Sequence, residues 1–276
     1  MKMSCIRRLG LKSTTSNWTG RLRSRNRIFR FGDRTRALNA HLWPTDHYDR
    51  KIFNTGAGAM KFIILILIAM GGNTKTLKDS SHVPTGFKTD TLPQRQIDSL
   101  IQVSLKRMRK FGLEDGDTAI VIIARINKLY LVRSDGEVIR SYDVSTSRFG
   151  VGSEAGSYKT PPGMHMICEK IGEGQPLGMI FKGRKPTGKI AKIERRPVNL
   201  PKDYITSRIL RLEGLEEGVN KGPGIDSKER FIYIHGTAEE GLIGLSTSFG
   251  CIRMRNKDVI ELFEMVREST LVDIVP

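Results

Sequence analysis

The chain has 276 residues, 38% hydrophobic and 7% aromatic, which is room for one or two domains with a real core and fits a soluble, β-leaning protein. Its formal net charge of +17 suggests an anionic partner. No helix-turn-helix, zinc-finger or RNA-binding signature accompanies that charge, so nucleic acid is not expected, and an anionic wall or membrane face satisfies the same electrostatics.

The charge is uneven. Residues 1–59 hold 13 of the 46 Lys and Arg but only 3 of the 29 Asp and Glu, together with both tryptophans, Trp18 and Trp43. With no sustained apolar period, this stretch reads as a basic, disordered extension. Residues 60–72 follow with Met60, the basic Lys61, an apolar run at 62–69 and the small-x-small pattern Ala69-Met70-Gly71. That is the anatomy of a secretory signal peptide, too short to span a bilayer. Met60 is then the expected start, and secretion to a periplasm or cell envelope follows. The alternatives are a genuine cytoplasmic tail ahead of a weak anchor, or a buried strand at 62–70.

Residues 73–117 comprise a polar linker and an amphipathic helix over 94–111. Ile97, Leu100, Ile101, Leu105 and Met108 share one helix face, Pro93 suits the first turn, and Gly112 ends it. From residue 118 to 276 the period becomes that of strands. Strands are expected at 119–124, 128–133, 137–145, 164–170, 206–212, 231–235 and 271–275. Asp135-Gly136 marks a hairpin between the second and third. Residues 146–163 are a Gly-containing loop ending in Lys159–Gly163 (KTPPG), and 171–200 form a long excursion or lid. Asn256 caps a helix whose Val259, Leu262, Phe263 and Val266 fall on one face.

The chemistry concentrates between Ile234 and Met254. His235 ends a strand, followed by Gly236 and Thr237; Ser248, Phe249 and Gly250 lead into Cys251, with Ile252, Arg253, Met254 and Arg255 beyond. A nucleophilic thiol needs a base, a tight turn and a positive environment. Gly236 allows a sharp turn that leaves the imidazole at a mouth, and Gly250 allows positive φ beside the thiol. In extended chain Cys251, Arg253 and Arg255 share a face, where the guanidiniums favour thiolate below its reference pKa of about 8.5. They also offer bidentate binding of a substrate carboxylate. The blander alternative is a buried small Cys with solvated arginines. Cys5, Cys168 and Cys251 have no metal-ligand spacing, so no metal and no cofactor is expected. A Cys168–Cys251 disulfide stays open.

These residues closely resemble the L,D-transpeptidase catalytic-domain family (YkuD-like), which carries His-Gly-Thr at a strand end, a spacer, then Ser-His-Gly-Cys-Ile-Arg. The resemblance extends through residues 144–172, 176–184 and 205–214 and covers about 118–276. Phe249 departs from the pattern, standing where a His is common. The resemblance implies a mainly β fold, a β-sandwich of mixed sheets with a few short helices, preceded here by the N-terminal helix. It further implies that Cys251 is acylated by a peptidoglycan tetrapeptide stem and that His235 moves the proton. Backbone N–H groups near Gly250 and Cys251 would hold the oxyanion. Ser248, or a backbone carbonyl, would orient His235, and Arg253 with Gly236 and Thr237 would bind substrate. An amine acceptor then resolves the acyl-enzyme in cell-wall biogenesis. The alternatives are hydrolysis or carboxypeptidase action on stem peptides by the same site, or a non-catalytic wall-binding module if Phe249 disables it.

Overall fold

The computed structural model describes residues 91–276, so the expected basic extension and signal-like segment lie outside the described residues. Two helices and ten strands follow in order: α1 Gln94–Arg109, β1 Thr118–Ile123, β2 Lys128–Arg133, β3 Val138–Asp143, β4 Gly163–Ile171, β5 Met179–Lys182, β6 Lys185–Ile190, β7 Ile205–Gly214, β8 Tyr233–Thr237, β9 Ile252–Met254, α2 Asn256–Met265 and β10 Leu271–Val275. The fold is mainly β with few helices, as expected. Hydrogen bonding joins every strand into one mixed sheet in the order β3-β2-β1-β10-β4-β7-β5-β6, with β8 on β7 and β9 on β8. The pairs β1/β10 and β8/β9 are parallel; the others are antiparallel. The sheet curls enough that Ile120 and Leu131 at one end share a core with Ile234, Ile252 and the α2 residues Val259, Leu262 and Phe263.

Each expected strand appears, those at 128–133 and 271–275 with the expected bounds and the others shifted at their ends by one or two residues. The β2–β3 turn places Gly136 at φ 100°, with its N–H on the Arg133 carbonyl at 2.9 Å. The left-handed conformation is why the sequence needs glycine there. The strand β1 (TAIVII) is apolar on both faces because both are covered. Ile120 and Ile122 enter the α2 core, whereas Ala119, Val121 and Ile123 meet α1.

Helix α1 buries Ile97, Ile101, Leu105 and Met108 against that second face. At about 2 kcal/mol per buried side chain, this packing outweighs the marginal stability of an isolated sixteen-residue helix. Arg107 also clamps the helix: Nη1 donates to both oxygens of the fully buried Asp273 on β10 at 3.0 and 2.9 Å, and Nη2 to Glu216 at 3.1 and 3.0 Å.

The 171–200 excursion is built around a hairpin, β5–β6, at the sheet edge. Strand β6 is exposed along its whole length and carries Lys185, Pro186 and Lys189. Proline and charge are the residues that keep an open strand edge from recruiting another strand.

Candidate active site

The site forms where β7, β8 and β9 lie side by side. Strand β8 pairs with β9 in parallel, placing His235 opposite Arg253 and Ile234 opposite Ile252. Cys251 immediately precedes β9, two residues before Arg253, so strand alternation puts it on the His235 side of the sheet. Ile234 and Ile252 point the other way, into the main core. Tyr233 and Cys251 join a separate apolar cluster with Met179, Phe181 and Ile209.

His235 is 3% exposed. The sequence reading placed it at a mouth after a sharp turn at Gly236; instead β8 continues to Thr237 and the ring is buried. Gly236 serves close packing. A Cβ there would lie 2.7 Å from the Thr206 carbonyl oxygen and 2.8 Å from Asn256 Oδ1. His235 Nδ1 is 2.7 Å from the Gly236 carbonyl oxygen. A carbonyl only accepts, so Nδ1 carries the proton and Nε2 the lone pair. Burial holds the imidazole below its ordinary pKa, with Asp203 opposing that effect, so the ring is neutral and able to accept a proton.

Gly250, where glycine allows close approach or positive φ, has φ 118°. A side chain there would be strained and would press on the Lys159 carbonyl oxygen at 3.2 Å. The turn is held from outside by Thr160 of the KTPPG segment, whose Oγ1 donates to the Gly250 carbonyl at 3.0 Å and accepts from Ser147 N at 3.0 Å. Ser248 holds it from inside. Its hydroxyl donates to the Cys251 carbonyl at 2.6 Å and accepts from Gly250 N at 3.2 Å. Ser248 therefore shapes the thiol loop, and a backbone carbonyl orients His235. The Gly250 N–H is engaged there rather than held in reserve for an oxyanion.

Further expectations are corrected. Arg253 is 1% exposed, with Nη1 on Glu239 at 2.6 Å and 3.3 Å from Asp203, and Nη2 on Ser145 and Thr247. It is an internal ion-pair partner rather than an exposed clamp for a substrate carboxylate. Arg255 is turned to Asp143 and Asp258. The thiol is not lowered either: burial pushes it up to about 12, against the Tyr233 backbone N–H and the Arg253 and Arg230 charges, which act to lower it. Thr237 is fully buried, and its Oγ1 accepts from Glu239 N at 3.1 Å. Asn256 is the first residue of α2 rather than its cap. Its Oδ1 accepts from Thr206 and Ser207 at 2.6 Å each, and its Nδ2 donates to the Thr237 carbonyl at 2.8 Å, tying α2 to β7 and β8. Cys168 and Cys251 are thiols, not a disulfide.

Several participants had no readable signal. Phe231 has φ 56° and turns its carbonyl to the Cys251 thiol, which donates to it at 3.4 Å. Such a conformation is costly for a bulky residue and clusters at functional sites. Arg184, from the β5–β6 turn, reaches the Tyr233 hydroxyl at 3.3 Å and lies 5.8 Å over the Phe231 ring. Arg230 donates to the Lys159 carbonyl at 2.7 Å and joins the charges around the thiol. Phe249 sits among Phe149 and Tyr158, with ring centroids about 6 Å away and the Arg148 guanidinium 4.7 Å above it. No group of residues fit to hold a metal ion occurs among the described residues.

The mixed β-sheet carries a buried histidine on β8 and, at the head of the neighbouring β9, a cysteine on a glycine turn. The family model for the L,D-transpeptidase catalytic domain (YkuD) matches residues 117–274, and the chain belongs to that family. Two curated relatives, named as candidate L,D-transpeptidases YkuD, share short segments with it. One from Bacillus licheniformis is 51% identical over 43 residues, covering 16% of this chain and 26% of the relative. One from Bacillus subtilis is 56% identical over 41 residues, covering 15% and 25%. The match thus spans about a quarter of those relatives' length. Among solved structures, an L,D-transpeptidase from Mycobacterium smegmatis is similar with TM-score 0.34 and 15% identity over 58% of each chain. L,D-transpeptidase 3 from Mycobacterium tuberculosis, with a faropenem-derived adduct, gives 0.35 and 14% over 58% of this chain and 60% of that one.

Proposed function

We propose that this domain is a cysteine-dependent L,D-transpeptidase acting on peptidoglycan stem peptides. The observation that carries the reading is a buried His235 whose Nδ1–H is fixed on the Gly236 carbonyl, on a strand paired with the one that Cys251 leads into. That bond dictates the tautomer, so Nε2 is the nitrogen that takes the thiol proton. Cys251 sulfur then attacks the carbonyl of the L-centre in a tetrapeptide stem, forming a thioester as the amide bond to the terminal D-alanine breaks. His235 returns its proton to the leaving amine. An acceptor amine next attacks the thioester carbon, gives a proton to His235, and the sulfur leaves and is reprotonated. A thiol held at about 12 is activated by this concerted transfer rather than by resting as thiolate.

Arg184 and Arg230, at the edge of the thiol cluster, take the part in carboxylate recognition that the buried Arg253 does not. We also place the site of action in the cell envelope, on the signal-like segment at 60–72. Mass spectrometry of the mature N-terminus checks that placement. The function is tested by incubating the protein with tetrapeptide muropeptides. Cross-linked dimers with release of D-alanine are expected, and tripeptide alone would replace transfer with hydrolysis. No product of either kind, from protein that melts cooperatively, would overturn the enzyme reading.

A further inference from the structure

Arg253 has more negative charge around it than it needs. Glu239, 4% exposed, neutralises the guanidinium at 2.6 Å, yet Asp203 Oδ2 lies 3.3 Å from the same Nη1. The Asp203 side chain is 26% exposed and comes from the loop ahead of β7, outside the His-Cys segment. That loop is held firmly. Glu239 Oε1 accepts from Leu200 N at 2.5 Å, Glu194 N donates to the Ala238 carbonyl at 2.8 Å, and Gly241 N donates to the Glu194 carbonyl at 3.1 Å. Gly241 has room for no side chain, because a Cβ would run into the carbonyls of Arg195 and Arg196. One carboxylate and one guanidinium would balance, so Asp203 is a surplus charge delivered to Arg253, which is paired in register with His235.

We propose that Asp203 is a positioning residue for the His235–Cys251 pair: through Arg253 it adds one negative charge beside the pair, which supports the protonated imidazole and opposes the free thiolate. This deepens the proposed function and rests on it only for the acyl-transfer half of the test. The charges facing the thiol and the imidazole are few. Burial lowers the imidazole and raises the thiol; Asp203 pushes both upward and Arg253 both downward, while Arg230 lowers the thiol. Tyr233 lies beside the thiol under Arg184, its hydroxyl raised by burial, and Glu239 faces Arg253 from the chain beyond β8.

The two effects separate in time. In the free enzyme the surplus charge keeps the proton on sulfur. In the thioester the sulfur no longer titrates, and only the stronger base at His235 remains, ready for the acceptor amine. Removing the charge should therefore move two rates in opposite directions, which a merely structural role would not do.

The experiment uses the full chain as wild type, Asp203→Asn and Asp203→Glu, with Asp203→Ser reading the same loss should the Asn variant unfold. Iodoacetamide alkylation of Cys251 is followed against pH; sulfur bonds to the acetamide carbon, iodide leaves and the thiol proton goes to solvent. The midpoint in Asp203→Asn should fall by about 1 pH unit, so alkylation near neutral pH quickens by up to about tenfold. Aminolysis of a preformed thioester should slow by about threefold to tenfold, and Asp203→Glu should restore both. An unchanged or raised midpoint in the Asn and Ser variants overturns the proposal, as does a slowing of both reactions together. A shifted midpoint in a protein that never forms the thioester supports the placement of the charge while refuting the proposed function.

Discussion

Arg107 and Arg253 are each held by a pair of carboxylates, and they do different work. Arg107 reaches in from a helix surface, 38% exposed, to a completely buried Asp273 and to Glu216. Arg253 is itself the buried member, with the buried Glu239 and the part-exposed Asp203 around it. In the first cluster the charges belong to α1, β10 and the chain after β7, so the clamp docks a helix onto a sheet. In the second they come from β9, the chain after β8 and the loop ahead of β7, and they meet next to His235, so in our proposal the same kind of cluster sets the field around a thiol and an imidazole. Chemically similar ion pairs thus divide between holding the fold and conditioning the site according to what lies next to them.

The sharpest test of the site half is loss of the thiol. A carbapenem is expected to leave a mass adduct on wild-type protein and none on Cys251→Ala, with turnover of stem peptides falling by at least about 10³-fold. An equal adduct on both would locate the nucleophile elsewhere. His235→Gln should cost about 10²- to 10⁴-fold in acylation, measured by stopped-flow quenching, while leaving Cys251 open to alkylation. Loss of alkylation as well would mean that the ring supports the loop rather than the proton. Gly250→Ala should destabilise by about 1–3 kcal/mol and slow acylation, since φ 118° and the Lys159 carbonyl both resist a side chain.

The smallest expected effect on chemistry falls at the other arginine. Arg107→Met should leave acylation unchanged but destabilise by about 2 kcal/mol at pH 7, because Asp273 keeps a buried charge without its partner. Burial already raises Asp273 from its ordinary value, against the Arg107 charge. A raised folded-state value means that the ionised form costs stability and that protonation relieves the cost. The loss should therefore shrink as pH falls through that raised value toward 4, as read from urea melts at several pH values. A loss independent of pH would assign Arg107 a packing role alone.

Much of this was legible beforehand, for identifiable reasons. The strands at 128–133 and 271–275 were read with their observed bounds, since local apolar runs and turn residues decide them. Helix α1 was evident from one apolar stripe, and the positive φ at Gly250 from the residue type beside the thiol. The exposure of His235 and Arg253 was not legible. A strand end followed by glycine looks the same in sequence whether the chain turns there or runs on beneath a neighbouring strand. The role of Gly236 depends on Thr206 and Asn256, thirty and twenty residues away, and that of Asn256 on a register shift in β7 around Ser207.

The sequence by itself determined the family and the mainly β fold, and singled out the candidate cysteine and histidine, because short-range patterning and motif spacing are local properties of the chain. Only the tertiary structure decided which groups surround that pair. Asp203, Arg230 and the Phe231 carbonyl are brought to the thiol, and Arg184 to Tyr233, by pairing and turns between separate segments, and Arg253 is drawn away from solvent by the carboxylates it meets. Electrostatic environment is a sum over neighbours in space, and those neighbours exist only once the sheet has curled.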